Sequence, residues 1–264
     1  MPGNRPFPGR PPARHADRAG GARRPARTLD DDLVVLYGWH PVAEALRNSK
    51  RRFRRLLATE NSAKRLAEEF AALPIAPELV RPDAIGRLLE PDAVHQGLYL
   101  EADPLPSPTL DSLSDTGLVL ALDQITDPHN VGAIVRTAAA FGVEAIVTTA
   151  RHSPSATGVL AKSASGGLEH VPFLVVRNLA DALIRLAERG FQRIGLDSEG
   201  AVPLGDIAVR HPTILVLGAE GKGLRHRTRE CCDVVARLDM PGAIKSLNVS
   251  NATAICLYAL SRAG

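Results

Sequence analysis

Aromatic residues are scarce in this chain of 264 residues: one Trp, three Tyr and six Phe, or 4%. Any core must therefore be aliphatic, built from Leu, Val, Ile and Ala. Cysteine is rarer still, with three residues. Cys231 and Cys232 are adjacent and Cys256 is distant, so there is neither a disulfide framework nor a CxxC metal pattern. They read as buried or half-buried thiols in a reducing cytoplasm, and no metal is expected. No apolar run approaches the roughly 18–20 residues of a membrane span, and the first residues hold no hydrophobic signal region. The expectation is a cytoplasmic protein with no membrane partner. Missing too are a GxGxxG turn and a Gly-x4-Gly-Lys-Ser/Thr loop, which argues against a nicotinamide dehydrogenase and against a nucleoside triphosphate site. There is no internal repeat.

What is present is ordinary in bulk, 45% hydrophobic and 23% charged, and uneven in charge. Residues 1–29 hold seven arginines against Asp17, a net +6, which leaves −3 for the rest of a chain whose total is +3. A nucleic-acid partner would have to be held by local patches and that tail, because the body offers no bulk attraction. Residues 1–32, rich in Pro, Arg, Gly and Ala, read as a disordered basic tail. It is either a low-complexity extension without a role or an arm that adds phosphate contacts.

From Leu33 the pattern changes. Strands are expected at Leu33–Tyr37, Phe53–Ala58, near Leu79-Val80 and at Gly97–Ala102. Helices are expected at Pro41–Asn48, from Ser62 as cap to about Ala72, and from Asp83 to Leu89. This makes residues 33–103 a small α/β domain. Residues 104–116, with Pro104, Pro106 and Pro108, have linker composition. Residues 117–264 then alternate strands (Leu118–Leu122, Ala145–Thr148, Phe173–Val176, Gln192–Leu196, Ile214–Leu217, Val234–Leu238) with helices (Val131–Phe141, Thr157–Ala164, Leu179–Arg189, Arg225–Cys231, Leu247 to about Arg262). Such alternation argues a mostly parallel, doubly wound sheet.

Three polar clusters each follow a strand-like run, the position where α/β domains bind ligands. In Asp127-Pro128-His129-Asn130-Val131-Gly132-Ala133-Ile134-Val135-Arg136, Asn130 stands where a helix N-cap is expected. Arg136 lies off the apolar face, and its neighbours three and four residues away, Gly132, Ala133, Ala139 and Ala140, offer no carboxylate. It is either a solvated surface arginine or a clamp for a phosphate or another oxygen acceptor. In Gly218-Ala219-Glu220-Gly221-Lys222-Gly223-Leu224, glycines permit close backbone approach to a ligand: the loop is either only a tight connection or one whose exposed backbone groups grip an adenine and an amino-acid tail. In the third cluster, Ser246 of Ser246-Leu247-Asn248-Val249-Ser250-Asn251-Ala252 reads as the cap of the last helix. Asn248 and Asn251 put amides where packing has little use for them.

These clusters, in this order, resemble the three motifs of the SpoU (SPOUT) class of RNA ribose 2′-O-methyltransferases. Leu36-Tyr37-Gly38-Trp39-His40-Pro41-Val42 and His95-Gln96-Gly97 are similar to the ribosomal-protein-like RNA-binding domain of the rRNA guanosine branch, so the resemblance covers about residues 33–264. It implies an α/β domain whose C-terminal segment is threaded into a trefoil knot, S-adenosyl-L-methionine as methyl donor, and a homodimer with sites completed across its interface. It places Leu217, Gly218, Glu220, Gly221, Leu238, Met240, Ser246 and Leu247 around the cofactor, and Asn130, Arg136, Glu220, Ser246 and Asn248 in the catalytic set. The family often has Pro before Met240, where this chain has Asp239.

The expected reaction is 2′-O-methylation of a guanosine ribose in large-subunit (23S) rRNA, as free RNA or in a ribosome assembly intermediate. A tRNA guanosine methyltransferase and a catalytically silent RNA-binding assembly factor are the alternatives. Arg51, Arg52, Arg54 and Arg55, in the densest basic run of the body, and His95 are the candidate RNA contacts; a merely solvated turn is the competing reading of that run. Arg225-His226-Arg227-Thr228-Arg229 is a second candidate for phosphate contact.

Overall fold

The computed structural model describes residues 33–150 and 158–262. The arginine-rich tail and the expected helix start at Thr157 lie outside the described residues. The first strands and helices are β1 (Val34–Tyr37), α1 (Trp39–Arg47), β2 (Phe53–Ala58), α2 (Glu60–Glu69), β3 (Glu78–Leu79), α3 (Pro82–Gly86) and β4 (Leu98–Ala102). They form a four-stranded sheet in the order β1-β4-β2-β3. Strand β4 is antiparallel to both β1 and β2, while β3 adds parallel to β2. Leu36, Val42, Leu56, Leu66, Leu98 and Leu100 make its aliphatic core. Gly38, at φ 85°, turns β1 into α1, and the Trp39 N–H donates to Gln96 Oε1 at 2.8 Å. Ser62 does not cap α2: it lies inside the helix, which begins after Thr59, and donates from Oγ to the Gln96 carbonyl.

The second sheet follows as β5 (Leu118–Asp123), α4 (Pro128–Ala140), β6 (Ala145–Thr149), α5 (Gly158–Ala164), β7 (Phe173–Val176), α6 (Leu179–Glu188), β8 (Gln192–Leu196), β9 (Val202–Pro203), β10 (Thr213–Gly218), α7 (His226–Glu230), β11 (Val234–Arg237) and α8 (Val249–Arg262). Its order is β7-β6-β5-β10-β8-β11-β9, and every neighbouring pair is parallel. Parallel strands need cover on both faces. One face packs Leu122, Ile146 and Leu217 against α4, α5 and α8 through Ile134, Leu160 and Leu257. The other packs Ala121, Val147 and Val216 against α6 through Leu179, Leu183 and Leu186. The chain winds outward from β5 to β7, then returns to build the other half, so β5 and β10 flank the point where direction reverses. At that point Gly218 pairs with Asp123, and such a switch opens a crevice at the strand carboxyl ends.

Two expected caps are displaced. Helix α4 starts at Pro128, whose fixed φ suits a first helical position, and Asp127 is the cap: its Oδ1 accepts the His129 N–H at 2.9 Å. Asn130 is thereby inside the first turn with its amide released. At α8 the cap is Asn248, not Ser246. Its Oδ1 accepts the Ser250 N–H at 2.9 Å and its carbonyl accepts the Ala252 N–H at 3.0 Å.

Residues 104–116 are mostly exposed but anchored at two points. Leu110 and Leu113 are buried beside α6, and Arg189 donates to the Leu110 and Leu113 carbonyls and the Asp115 carboxylate. The two sheets are also joined directly. Ala161 of α5 enters the core of the first sheet, and Lys162 Nζ lies 5.9 Å from the Tyr37 ring centroid. Arg51 pairs with Glu169 at 2.8 Å, with side chains 3% and 2% exposed.

Candidate active site

A cavity of about 450 Å³ opens at the carboxyl ends of β8, β10 and β11 beside the start of α8. The residues expected around a cofactor, Leu217, Gly218, Glu220, Gly221, Leu238, Met240, Ser246 and Leu247, all line it. Local geometry explains the glycines. A Cβ on Gly218 would stand 2.3 Å from the Gly223 carbonyl carbon, and one on Gly223, at φ 64°, would stand 2.5 Å from Asp197 Oδ2. The loop thus folds back on itself and turns backbone groups toward the cavity.

The three clusters converge at the mouth. Glu220 Oε1 accepts from Asn130 Nδ2 at 3.2 Å and from the Val249 N–H at 3.0 Å. Asn248 Nδ2 donates to Asn130 Oδ1 at 2.8 Å. One carboxylate and two amides from α4, the β10 loop and the α8 cap therefore fix one another. Ser246 lines the cavity outside this network. Arg136 is also outside it. Six residues beyond Asn130, it is displaced about 120° around the helix, exposed, and without a hydrogen-bond or ion-pair partner among the described residues.

The basic candidates divide sharply. Arg51, expected at an RNA surface, is buried: Nε and Nη2 donate to Glu169 and Nη1 to the Asp103 carbonyl at 2.8 Å, so its donors are consumed inside the protein. Arg54 forks onto Asp103, and Arg55 onto Glu78. Arg52 is exposed. His95 Nδ1 accepts the Gly97 N–H at 3.1 Å, and burial holds its imidazole below the usual histidine range, so it brings no positive charge at neutral pH. In the second run, Arg225 pairs with the buried Asp123, Arg227 with Asp181 and Arg229 with Asp197.

Sequence reasoning missed Asp197 and Glu199, which also line the cavity. The signal was available, since Asp197-Ser198-Glu199-Gly200 is another polar cluster directly after a strand. Asp239 turns away to Arg237, accepting from Nε at 2.8 Å. Among the described residues, no group of three or more His, Cys, Asp or Glu could hold a metal ion, and no helix is long and apolar enough to cross a membrane.

Residues 117–258 match the SpoU rRNA Methylase family, and residues 35–108 match a domain described as RNA 2′-O ribose methyltransferase substrate binding. A 23S rRNA (guanosine-2′-O-)-methyltransferase RlmB of Pseudomonas aeruginosa is 36% identical, over 86% of this chain and 95% of that protein. The RlmB of Pseudomonas syringae pv. tomato is 37% identical, over 86% and 94%. The fold is also that of the Streptomyces viridochromogenes SpoU methyltransferase AviRb, solved in complex with AdoMet: TM-score 0.76, 22% identity, 88% of this chain and 91% of that one.

Proposed function

This chain belongs to the SpoU rRNA methylase family, and from that we propose that it transfers the methyl group of S-adenosylmethionine to the ribose 2′-oxygen of a guanosine in 23S rRNA. The observation that carries the reading is the network of Asn130, Glu220 and Asn248 at the mouth of a cavity. Its volume of about 450 Å³ lies within the roughly 300–1,000 Å³ of small-molecule sites. The lining suits the donor. Leu196, Leu217 and Leu238 offer apolar walls for an adenine, and Glu199 and Glu220 offer carboxylates to a sulfonium and an ammonium. Bound there, S-adenosylmethionine supplies a methyl group already activated by its positive sulfur.

The protein's task is then positioning. A ribose hydroxyl is a weak nucleophile, and its oxygen must be held in line. A guanidinium has donors and no acceptor, so Arg136 acts as a donor: it holds the phosphate beside the target ribose and polarises the hydroxyl. Asn130, Glu220 and Asn248 lock the loops, and Ser246 orients the cofactor side of the mouth.

The reading includes a homodimer, a threaded C-terminal segment, the division of the chain near residues 104–116, and action in the cytoplasm. Helix α8, which packs against α4, exposes Ile255 at 46% and Tyr258 at 61%. A second copy seated on that face would cover them, and in this reading Arg136, without a partner among the described residues, serves the cavity of the neighbouring copy.

The test is transfer of labelled methyl from S-adenosylmethionine to deproteinised rRNA and tRNA from a strain lacking this protein, with the product nucleoside identified. 2′-O-methylguanosine in 23S rRNA is expected. Label in tRNA alone would overturn the substrate assignment; no label with cofactor binding intact would point to a ribosome assembly intermediate as the substrate.

A further inference from the structure

We propose that a second cavity, at the carboxyl ends of β6 and β7, is a phosphate site that seats the backbone of the RNA substrate; this rests on the chain being an RNA methyltransferase. The cavity measures about 730 Å³, and Arg177, Arg225 and Arg227 line it, together with Thr149, Asn178 and Asp181. Arg177 is exposed, with no hydrogen-bond or ion-pair partner among the described residues. Arg225 spends its backbone N–H and Nε on the buried Asp123, which leaves the outer guanidinium nitrogens to a ligand. Arg227 spends Nη2 on Asp181 at 2.7 Å. Three guanidinium groups thus face two carboxylates, one of them buried beneath. The start of α6, capped by the Asn178 side chain at the Ala180 N–H, adds its partial positive charge at the same rim.

Two further observations favour a polyanion over a small free anion. The chain outside the tail carries −3, and the dense arginine run of the first sheet is largely consumed in ion pairs, so phosphates must be met where donors remain. The position is also right. Leu224 lines the cofactor cavity and Arg225 lines this one, so one loop forms a wall of each. A strand held by these guanidinium forks passes beside the reacting end of the molecule.

The experiment compares the full-length protein with an Arg177→Ala/Arg227→Ala double variant. Arg225 is left alone because it secures the buried Asp123. Affinity for deproteinised 23S rRNA lacking the methyl group is followed against KCl concentration, with S-adenosylmethionine affinity measured in parallel. Loss of two phosphate contacts should make the log–log salt slope shallower by about 1.5. It should also raise KM for RNA about ten-fold while leaving kcat and cofactor affinity unchanged, and Arg177→Lys should restore much of the slope. An unchanged slope and KM overturn the proposal. If RNA binding is unchanged but wild type binds inorganic pyrophosphate and the double variant does not, the anion chemistry stands and the RNA assignment falls. A shallower slope in the double variant, with no RNA methylated by the wild type, refutes the methyltransferase reading and leaves the phosphate site standing.

Discussion

Replacing Glu169 by Ala tests whether the two sheets are welded by one ion pair. Arg51 donates to Glu169 from Nε and Nη2, and Asn48 Nδ2 donates to the same carboxylate at 2.7 Å. Both charged side chains are nearly inaccessible, at 3% and 2%. Without the carboxylate, a buried guanidinium keeps only the Asp103 carbonyl, and the Asn48 amide loses its acceptor. Breaking a buried pair by removing one partner costs about 3–5 kcal/mol, mostly for the charge left behind. At roughly 2–4 °C per kcal/mol for a chain of this size, Tm should fall by roughly 10 °C. Arg185→Ala is the control: its pair with Asp111 is 56% and 73% exposed and should be worth no more than about 1 kcal/mol. Arg51→Met with Glu169→Leu should recover most of the loss, because two apolar side chains owe nothing to desolvation. The assay is thermal and urea unfolding followed by circular dichroism. A Glu169→Ala variant no less stable than Arg185→Ala would refute the argument, and so would a double variant worse than the single.

Three other outcomes are expected. Arg136→Ala should lower methyl transfer about 100-fold or more, the scale of losing one charge-stabilising donor, while calorimetry shows cofactor affinity intact; lost cofactor binding would mean the arginine is structural. Tyr258→Glu, on the exposed face of α8, should give a monomer by sedimentation with little turnover, and a fully active dimer would exclude that face as the interface. Burial pushes the Cys232 and Cys256 thiols up to about 12, so neither should react with iodoacetamide in the native protein at pH 8. Because their folded pKa exceeds the ordinary value of 9.0, the stability they add is complete below pH 9 and is lost as pH rises toward 12. Peptide mapping that finds Cys256 alkylated at pH 8 without unfolding would contradict this.

What could be read in the sequence follows from which forces are local. Parallel strands covered on both faces must be continuous apolar runs, so Phe173–Val176 stood out to the residue, whereas Val202–Pro203 is two residues long and carries no period. Caps were harder because neighbouring candidates compete. Asp127, set before Pro128, takes the start of α4, and Asn248 takes that of α8. Each shift frees or recruits an amide for the network with Glu220, so the error concerned the cap and the residues gathered at the mouth were still named. Charge was the least legible. Arg51 looks like its neighbours in the run Lys50-Arg51-Arg52, but its partner lies 118 positions away, and Arg54 and Arg55 likewise find carboxylates at Asp103 and Glu78. Arg177, alone between Val176 and Asn178, draws no attention in sequence and has no hydrogen-bond or ion-pair partner among the described residues. Local density of arginine therefore overstates what a surface can offer a polyanion. The useful quantity is the number of guanidinium groups left unpaired around a concavity, and only the folded chain supplies it.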